Sequence, residues 1–275
     1  MDIRIAHSPD SDDAFMFYAL AKNKLPVGKF RFHHTLHDIE TLNRKAFDGE
    51  FEVTAISFHA YPYIEDKYML LPSGASMGDG YGPIVVARKQ FGPDELVGKR
   101  IAIPGTLTSA CLALKLFQPD FEEIIVPFDQ IIDVVKQGGA DAGILIHEGQ
   151  LTYADEDLRL ILDLGVWWRD KTGLPLPLGG NVIRRDLGTE DIKETSRLLR
   201  ESIRYSLDHR KEALEYALEF ARNLDSAKAD RFVGMYVNER TLDYGEDGRN
   251  AVQLFFDMAH DAGIIPGPVK AEFAD

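Results

Sequence analysis

Apolar and polar residues alternate over residues 2–7 (DIRIAH), and apolar residues then dominate from Ala14 to Ala21. The chain therefore opens as a strand, a turn and a helix. The turn Ser8-Pro9-Asp10-Ser11-Asp12-Asp13 supplies the break and several N-cap residues, with Ser11 or Asp12 favoured. Alternating or short apolar runs predict strands at 29–36, 51–57, 84–87, 99–103, 123–126, 143–146 and 158–162. Helices are predicted at 38–47, 110–117 and 128–137. Residues 163–173 read as an amphipathic, aromatic segment, 174–181 as a connector and 182–185 as a strand. From about residue 189 the pattern changes to successive helices over 191–207, 211–223, 227–237 and 249–262.

Strands alternating with helices predict an α/β fold. Residues 82–87 and 180–185 flank the middle segment like a way out and a way back. The expected organisation is a large lobe, 1–88 plus 186–275, whose C-terminal part is helical, and a small lobe, 89–185. Two crossing strands would join them around a central cleft. The glycine-rich stretch Ser73–Pro83 runs into a strand, which excludes the dinucleotide fingerprint, since that motif opens a helix. It reads as a loop whose backbone comes close to another segment or to a ligand.

Four strand ends collect candidate chemistry, where ligands of α/β folds gather. His147 stands where the run Gly143–Ile146 gives way to polar residues, and a neutral imidazole there can act as a general base. The helix start disfavours its charged form, whereas Glu148 favours it. The turn Pro104-Gly105-Thr106-Leu107-Thr108-Ser109 precedes a helix and offers hydroxyls beside free N–H groups, a cradle for a carboxylate or phosphate. It lacks the Gly-Lys-Ser/Thr of a P-loop, so nucleotide hydrolysis is not expected. Ser57 ends the strand 51–57, and Ser8 and Asp13 bound the first turn. His33, His34 and His37 lack supporting cysteine or carboxylate spacing, so no metal is expected.

The chain carries 31 basic and 45 acidic side chains, a formal charge of -14. That balance argues against nucleic-acid and anionic-membrane partners, which need a basic face. One cysteine, Cys111, excludes an intrachain disulfide and falls among core positions of a helix. No secretory pattern and no long apolar run is seen, so a cytoplasmic protein is expected.

Several short stretches carry a family resemblance in the same order along nearly the whole chain. They are Ser8-Pro9 with Asp13 and Phe15, Gly82-Pro83, Gly105-Thr106, Ile146-His147-Glu148-Gly149, Tyr236-Val237-Asn238 and Asp243-Tyr244-Gly245. Together they resemble the 1,4-dihydroxy-6-naphthoate synthase family of the futalosine route to menaquinone. The resemblance implies a periplasmic-binding-protein-like (type II) fold without cofactor or metal. It implies a lyase that splits cyclic dehypoxanthine futalosine into 1,4-dihydroxy-6-naphthoate and a second fragment. His147 matches the family's catalytic histidine as base, and Ser8, Thr106 and Leu107 match ligand-binding positions.

The expected ligand is thus a small anionic aromatic precursor. Its carboxylate would lie on Thr106, Thr108 and Ser109, with Ser57 nearby and aromatic residues near the first helix packing on its ring. Asp10, Asp12 and Ala14 stand where the family often has Cys, Asn and Thr. The two added carboxylates would repel an anion unless they point away. Two other functions suit the same cleft: chorismate dehydratase, and a non-catalytic binding protein for a small anion. The sequence does not set the oligomeric state, a homodimer included.

Overall fold

The computed structural model describes residues 1–220 and 226–275. The strands are β1 (Asp2–His7), β2 (Arg31–Leu36), β3 (Val53–Ser57), β4 (Tyr68–Leu70), β5 (Ser76–Gly78), β6 (Ile84–Ala87), β7 (Arg100–Ile103), β8 (Glu122–Ile125), β9 (Ala142–Leu145), β10 (Arg159–Asp163) and β11 (Leu176–Arg184). The helices are α1 (Ser11–Ala21), α2 (Ile39–Ala46), α3 (Ser109–Phe117), α4 (Ile131–Gln137), α5 (Gly149–Thr152), α6 (Leu164–Thr172), α7 (Thr189–Asp208), α8 (Arg210–Ala217), α9 (Ser226–Tyr236), α10 (Glu239–Leu242) and α11 (Gly245–Asp261). The part of the predicted helix 211–223 beyond residue 220 lies outside the described residues.

Two sheets form two α/β lobes. The first runs β2-β1-β3-β11-β4, with β5 also paired to β11, and the second runs β10-β6-β9-β7-β8. In the first, β1 lies parallel to β2 and β3, while β11 is antiparallel to β3, β4 and β5. In the second, β7 is parallel to β8 and β9, while β6 is antiparallel to β9 and β10.

The chain changes sheet between Gly78 and Ile84 and again between Asp163 and Leu176. The boundaries expected at 88/89 and 185/186 therefore fall too late on both passages. Every residue of β6 is buried, and the strand pairs on both sides within the second sheet (Val85 with Ile144, Val86 with Leu160). Residues 176–181, read from sequence as part of a connector, belong to β11. Pro177 is accommodated because the register with β5 shifts between Pro177 and Gly179.

Helix α1 is buried over nearly its whole circumference, as a helix apolar all round must be. It packs against α7, α8 and α9, so the C-terminal helices serve as the sheath of the first helix. A second core runs through both lobes, joining Ile56 and Tyr68 to Val85, Ile101, Cys111 and Phe255. Trp168 is fully buried there, with its indole N–H donating to the Pro175 carbonyl at 3.0 Å and its ring edge-on to Phe255. The glycine-rich stretch approaches another segment: at Gly82 a Cβ would meet the backbone of Gly165 at 2.9–3.0 Å. Among the described residues no helix is long and apolar enough to cross a membrane.

Candidate active site between the lobes

The carboxyl ends of β1, β3 and β7 meet a cavity between the lobes, with about 780 Å³ of non-atom space counting the part open to solvent. The first lobe contributes Ser8, Asp10, Asp12, Asp13, Met16, Ile56 and Ser57. Thr108, Ser109, Ile146 and Gln150 come from the second lobe, and the stretch 178–181 of β11 also borders the space.

The first turn is built from its own carboxylates. The Ser8 amide donates to Asp13 Oδ2 at 2.7 Å, and the Ser8 hydroxyl bonds Asp10 Oδ2. Burial, opposed by the Ser8 amide and reinforced by Asp10, pushes the Asp13 carboxyl up to about 7. Burial first, and then the charges of Asp13, Asp10 and Glu148, hold Asp12 well above the usual carboxylate range. Asp10 and Asp12, expected to trouble an anionic ligand, do line the cavity. The raised proton affinity of Asp12 and Asp13 lessens the negative charge this wall carries.

The turn after β7 divides its residues between two tasks. Thr108 caps α3, accepting from the Cys111 amide at 3.2 Å and donating to the Gly105 carbonyl at 2.9 Å. Ser109, only 2% exposed, lines the cavity with an Oγ that has no hydrogen-bond partner among the described residues. Beside it the first-turn amides of α3 have no partner within the helix. Thr106 and Leu107 face elsewhere. Arg44 of α2 donates to Thr106 Oγ1 at 2.8 Å, and the Leu107 amide donates to Glu40 Oε2 at 3.1 Å. Gly105 leaves room for the Glu40 side chain, which would collide with a Cβ there. The carboxylate on this part of the cradle is thus the protein's own, and Thr106 and Leu107 tie the lobes together. Asn43 completes the junction, bonding the Ser57 amide at 2.8 Å, Ser57 Oγ at 3.2 Å and the Leu107 carbonyl at 3.3 Å.

His147 lies off the inter-lobe cavity, in a neighbouring one shared with Asp129, Glu148, Thr152 and Lys228. Its Nδ1 accepts from the Gly149 amide at 3.0 Å, and its Nε2 lies 2.9 Å from the Phe128 carbonyl. This network assigns the neutral tautomer with the proton on Nε2. The lone pair a base would use is therefore engaged. The polar segment after β9 forms only the four-residue α5, so His147 precedes a single turn of helix.

Sequence reasoning missed Gln150, Tyr236 and Asn181. Tyr236 donates to Gln150 Oε1 at 2.6 Å, closing the cavity from α9. Asn181 Nδ2 donates to the Gly74 carbonyl at 3.1 Å, while its buried Oδ1 has no partner among the described residues. The advance signs were Gln150 in the polar segment after His147 and Tyr236 in a stretch of the family resemblance, neither of them assigned to the ligand. The aromatic residues of α1 are not where the ring was expected: Phe15, Phe17 and Tyr18 are buried in the core, and Met16 meets the cavity. Among the described residues no group of three or more His, Cys, Asp or Glu could hold a metal ion.

A family model described as menaquinone biosynthesis matches residues 3–261. The chain is 41% identical over 270 residues to the 1,4-dihydroxy-6-naphthoate synthase of Thermus thermophilus, covering 97% of each. It is 36% identical over 279 residues to the synthase of that name from Streptomyces coelicolor, covering 98% of each. The crystal structure of a protein from Archaeoglobus fulgidus aligns with a TM-score of 0.92 at 51% identity, over 96% of this chain and 98% of that one. The alkanesulfonate-binding protein of Xanthomonas axonopodis pv. citri, bound to MOPS, aligns with a TM-score of 0.73 over 98% and 96% of the two chains. At 12% identity that likeness concerns the fold alone. With its two lobes, its cleft and these full-length relatives, the chain belongs to the menaquinone-biosynthesis family of 1,4-dihydroxy-6-naphthoate synthases.

Proposed function

We propose that this chain is a carbon–carbon lyase converting cyclic dehypoxanthine futalosine to 1,4-dihydroxy-6-naphthoate in the inter-lobe cavity. The observation that carries the reading is the pairing of apolar walls with one hydroxyl-bearing end. Met16, Ile39, Ile56, Ile146 and Leu178 supply flat apolar surface, and the start of α3 with its unpartnered Ser109 hydroxyl supplies donors. A bicyclic aromatic acid has those two parts. Its ring lies on the apolar side chains and its carboxylate on Ser109 and the free first-turn amides of α3, while Thr108 caps that helix. Thr106 and Leu107 act one step back, holding the turn against Glu40 and Arg44.

His147 is the base in this reading. To act, its ring gives up the Gly149 amide and the Phe128 carbonyl and turns toward the cavity that its neighbours Ile146 and Gln150 already line. Losing two such bonds costs about 1–3 kcal/mol, which substrate binding can offset. The forming aromatic ring drives the cleavage, and one positioned base contributes about 10²–10⁴-fold.

The test is product analysis by mass spectrometry after mixing wild-type protein, and His147→Ala in parallel, with cyclic dehypoxanthine futalosine. Dihydroxynaphthoate from the wild type, with a folded and binding mutant at least about 100-fold slower, is the expected result. Equal rates would move the base elsewhere. Substrate bound and released unchanged by both proteins would leave a two-lobed binding protein.

A further inference from the structure

Residues 146–150 border the inter-lobe cavity through Ile146 and Gln150 and carry His147 between them. This segment has little hold of its own. It continues only into α5, four residues long, and a single helical turn fixes several backbone angles for one or two hydrogen bonds. Turning the His147 ring toward a substrate delivers its nitrogen to a defined point only where the backbone beneath it stays still. The hold must come from outside the segment.

The first lobe supplies it. Tyr236 on α9 donates to Gln150 Oε1 at 2.6 Å across the cleft, and both residues are buried. The Gln150 amide is already oriented, because its Nε2 donates to the Leu145 carbonyl at 3.1 Å and leaves Oε1 for the phenol. The phenol is oriented too. Its ring lies edge-on to Tyr81 and Phe232, with centroids 5.9 and 5.1 Å away. Other contacts that cross here are weaker. Ser11 Oγ lies 3.4 Å from Glu148 Oε1, near the limit of a hydrogen bond. The Lys228–Asp155 pair, also at 3.4 Å, joins side chains 43% and 70% exposed, where an ion pair contributes little. The short buried bond is the one that holds.

We infer that Tyr236 is a positioning residue of the cleavage: its phenol clamps the segment carrying His147 to the first lobe and so couples lobe closure to placement of the base. The inference rests on the reading of His147 as base given above. The two ends of the cleft are then fixed separately. Helix α2, through Glu40, Asn43 and Arg44, holds the turn that seats the carboxylate, and α9 holds the segment that brings the base. With the lobes apart the phenol loses its acceptor, and the base-bearing segment is left on its single turn of helix. Removing the phenolic oxygen alone keeps the aromatic packing and the apolar wall. Substrate then still binds, while the His147 ring reaches the reacting bond less often.

The experiment is a double-mutant cycle on turnover of cyclic dehypoxanthine futalosine, using Tyr236→Phe, His147→Ala and the two combined. Amide hydrogen exchange with and without dihydroxynaphthoate accompanies it. Tyr236→Phe is expected to lose about 10–100-fold in kcat with KM within about threefold. In the His147→Ala background the same change is expected to lower the rate by less than about threefold, because the phenol acts through that ring. In wild type the ligand is expected to slow exchange of the Gly149, Gln150 and Leu151 amides at least about tenfold, and Tyr236→Phe to abolish that protection. If Tyr236→Phe does not fold, Gln150→Met, which removes the acceptor instead, takes its place with the same expectations. Equal losses in the two backgrounds, or ligand protection retained without the phenol, would overturn the assignment. His147→Ala as active as wild type would overturn the base reading and this inference with it. A wild type that releases no product would overturn the lyase reading instead, with the exchange measurement still deciding the clamp.

Discussion

The turn after β1 and the turn after β7 are alike in backbone, each a strand running into a helix start at the cleft, and opposite in chemistry. The first is lined by Asp10, Asp12 and Asp13, and burial raises the proton affinity of Asp12 and Asp13. The second carries no acid of its own and keeps Ser109 Oγ unpartnered. A helix start favours negative charge, so Asp12 and Asp13 near the α1 N-terminus are not electrostatically misplaced. Burial and mutual repulsion outweigh that benefit, as the raised Asp13 carboxyl shows. The difference teaches that one local motif can supply either an acidic wall or an anion seat. Which it supplies is decided by the side chains that reach the cavity.

The largest expected effect comes from erasing this difference. Ser109→Asp would turn the second turn into a copy of the first and set a carboxylate where the ligand's own carboxylate is placed. Dihydroxynaphthoate binding is expected to weaken roughly 1,000-fold, about 4 kcal/mol, in a calorimetric titration. Thermal stability should hold, since Asp is favoured in the first turn of a helix. Unchanged affinity would mean that the carboxylate lies elsewhere.

Next in size is Asn43→Ala, which removes the residue joining Ser57 to the Leu107 carbonyl. It leaves the Ser57 amide unpaired in the interior, at a cost of about 3 kcal/mol in denaturant unfolding. A loss under about 0.5 kcal/mol would show that the turn holds its place without α2.

The pH dependence sharpens the acidic side of the comparison. The folded Asp13 carboxyl titrates at about 7 against a usual value of 3.8. The unfolded chain therefore releases this proton while the folded protein still holds it. The stability linked to Asp13 is complete below about pH 4 and is lost as pH rises to about 7. About 2 kcal/mol is expected to disappear between pH 5 and 8 in wild type and not in Asp13→Asn, measured as unfolding free energy. Equal slopes would place the titration on another group.

Arg44→Ala should do least. The guanidinium holding Thr106 is 53% exposed on its side chain, so its loss is worth under about 1 kcal/mol and less than about fivefold in KM. A tenfold or larger change in KM would return Thr106 to direct ligand contact.

How much of this was legible in the sequence follows from where each partner lies along the chain. The strand–turn–helix junctions were readable because periodicity and capping are local, and Ser8, Asp13, Ser57, Thr108 and Ser109 all line the cavity. Thr106 and Leu107 were assigned from the same local signal, but Glu40 and Arg44, more than sixty positions earlier, take up their donor and acceptor groups. His147 marks its segment correctly, while the direction of its ring depends on the carbonyl of Phe128, nineteen residues before it. Nothing local distinguishes Asn181 from a connector residue. Its place follows from β11 crossing the first sheet between β3 and β4.

A crystal structure of the protein with 1,4-dihydroxy-6-naphthoate would test the division of labour between the two turns most directly. The predicted result is a ligand in the inter-lobe cavity, its carboxylate on Ser109 and the α3 amides and its ring on the apolar side chains of Met16, Ile56 and Leu178. A carboxylate directed at Asp10–Asp13, or a ligand seated in the His147 cavity alone, would contradict it.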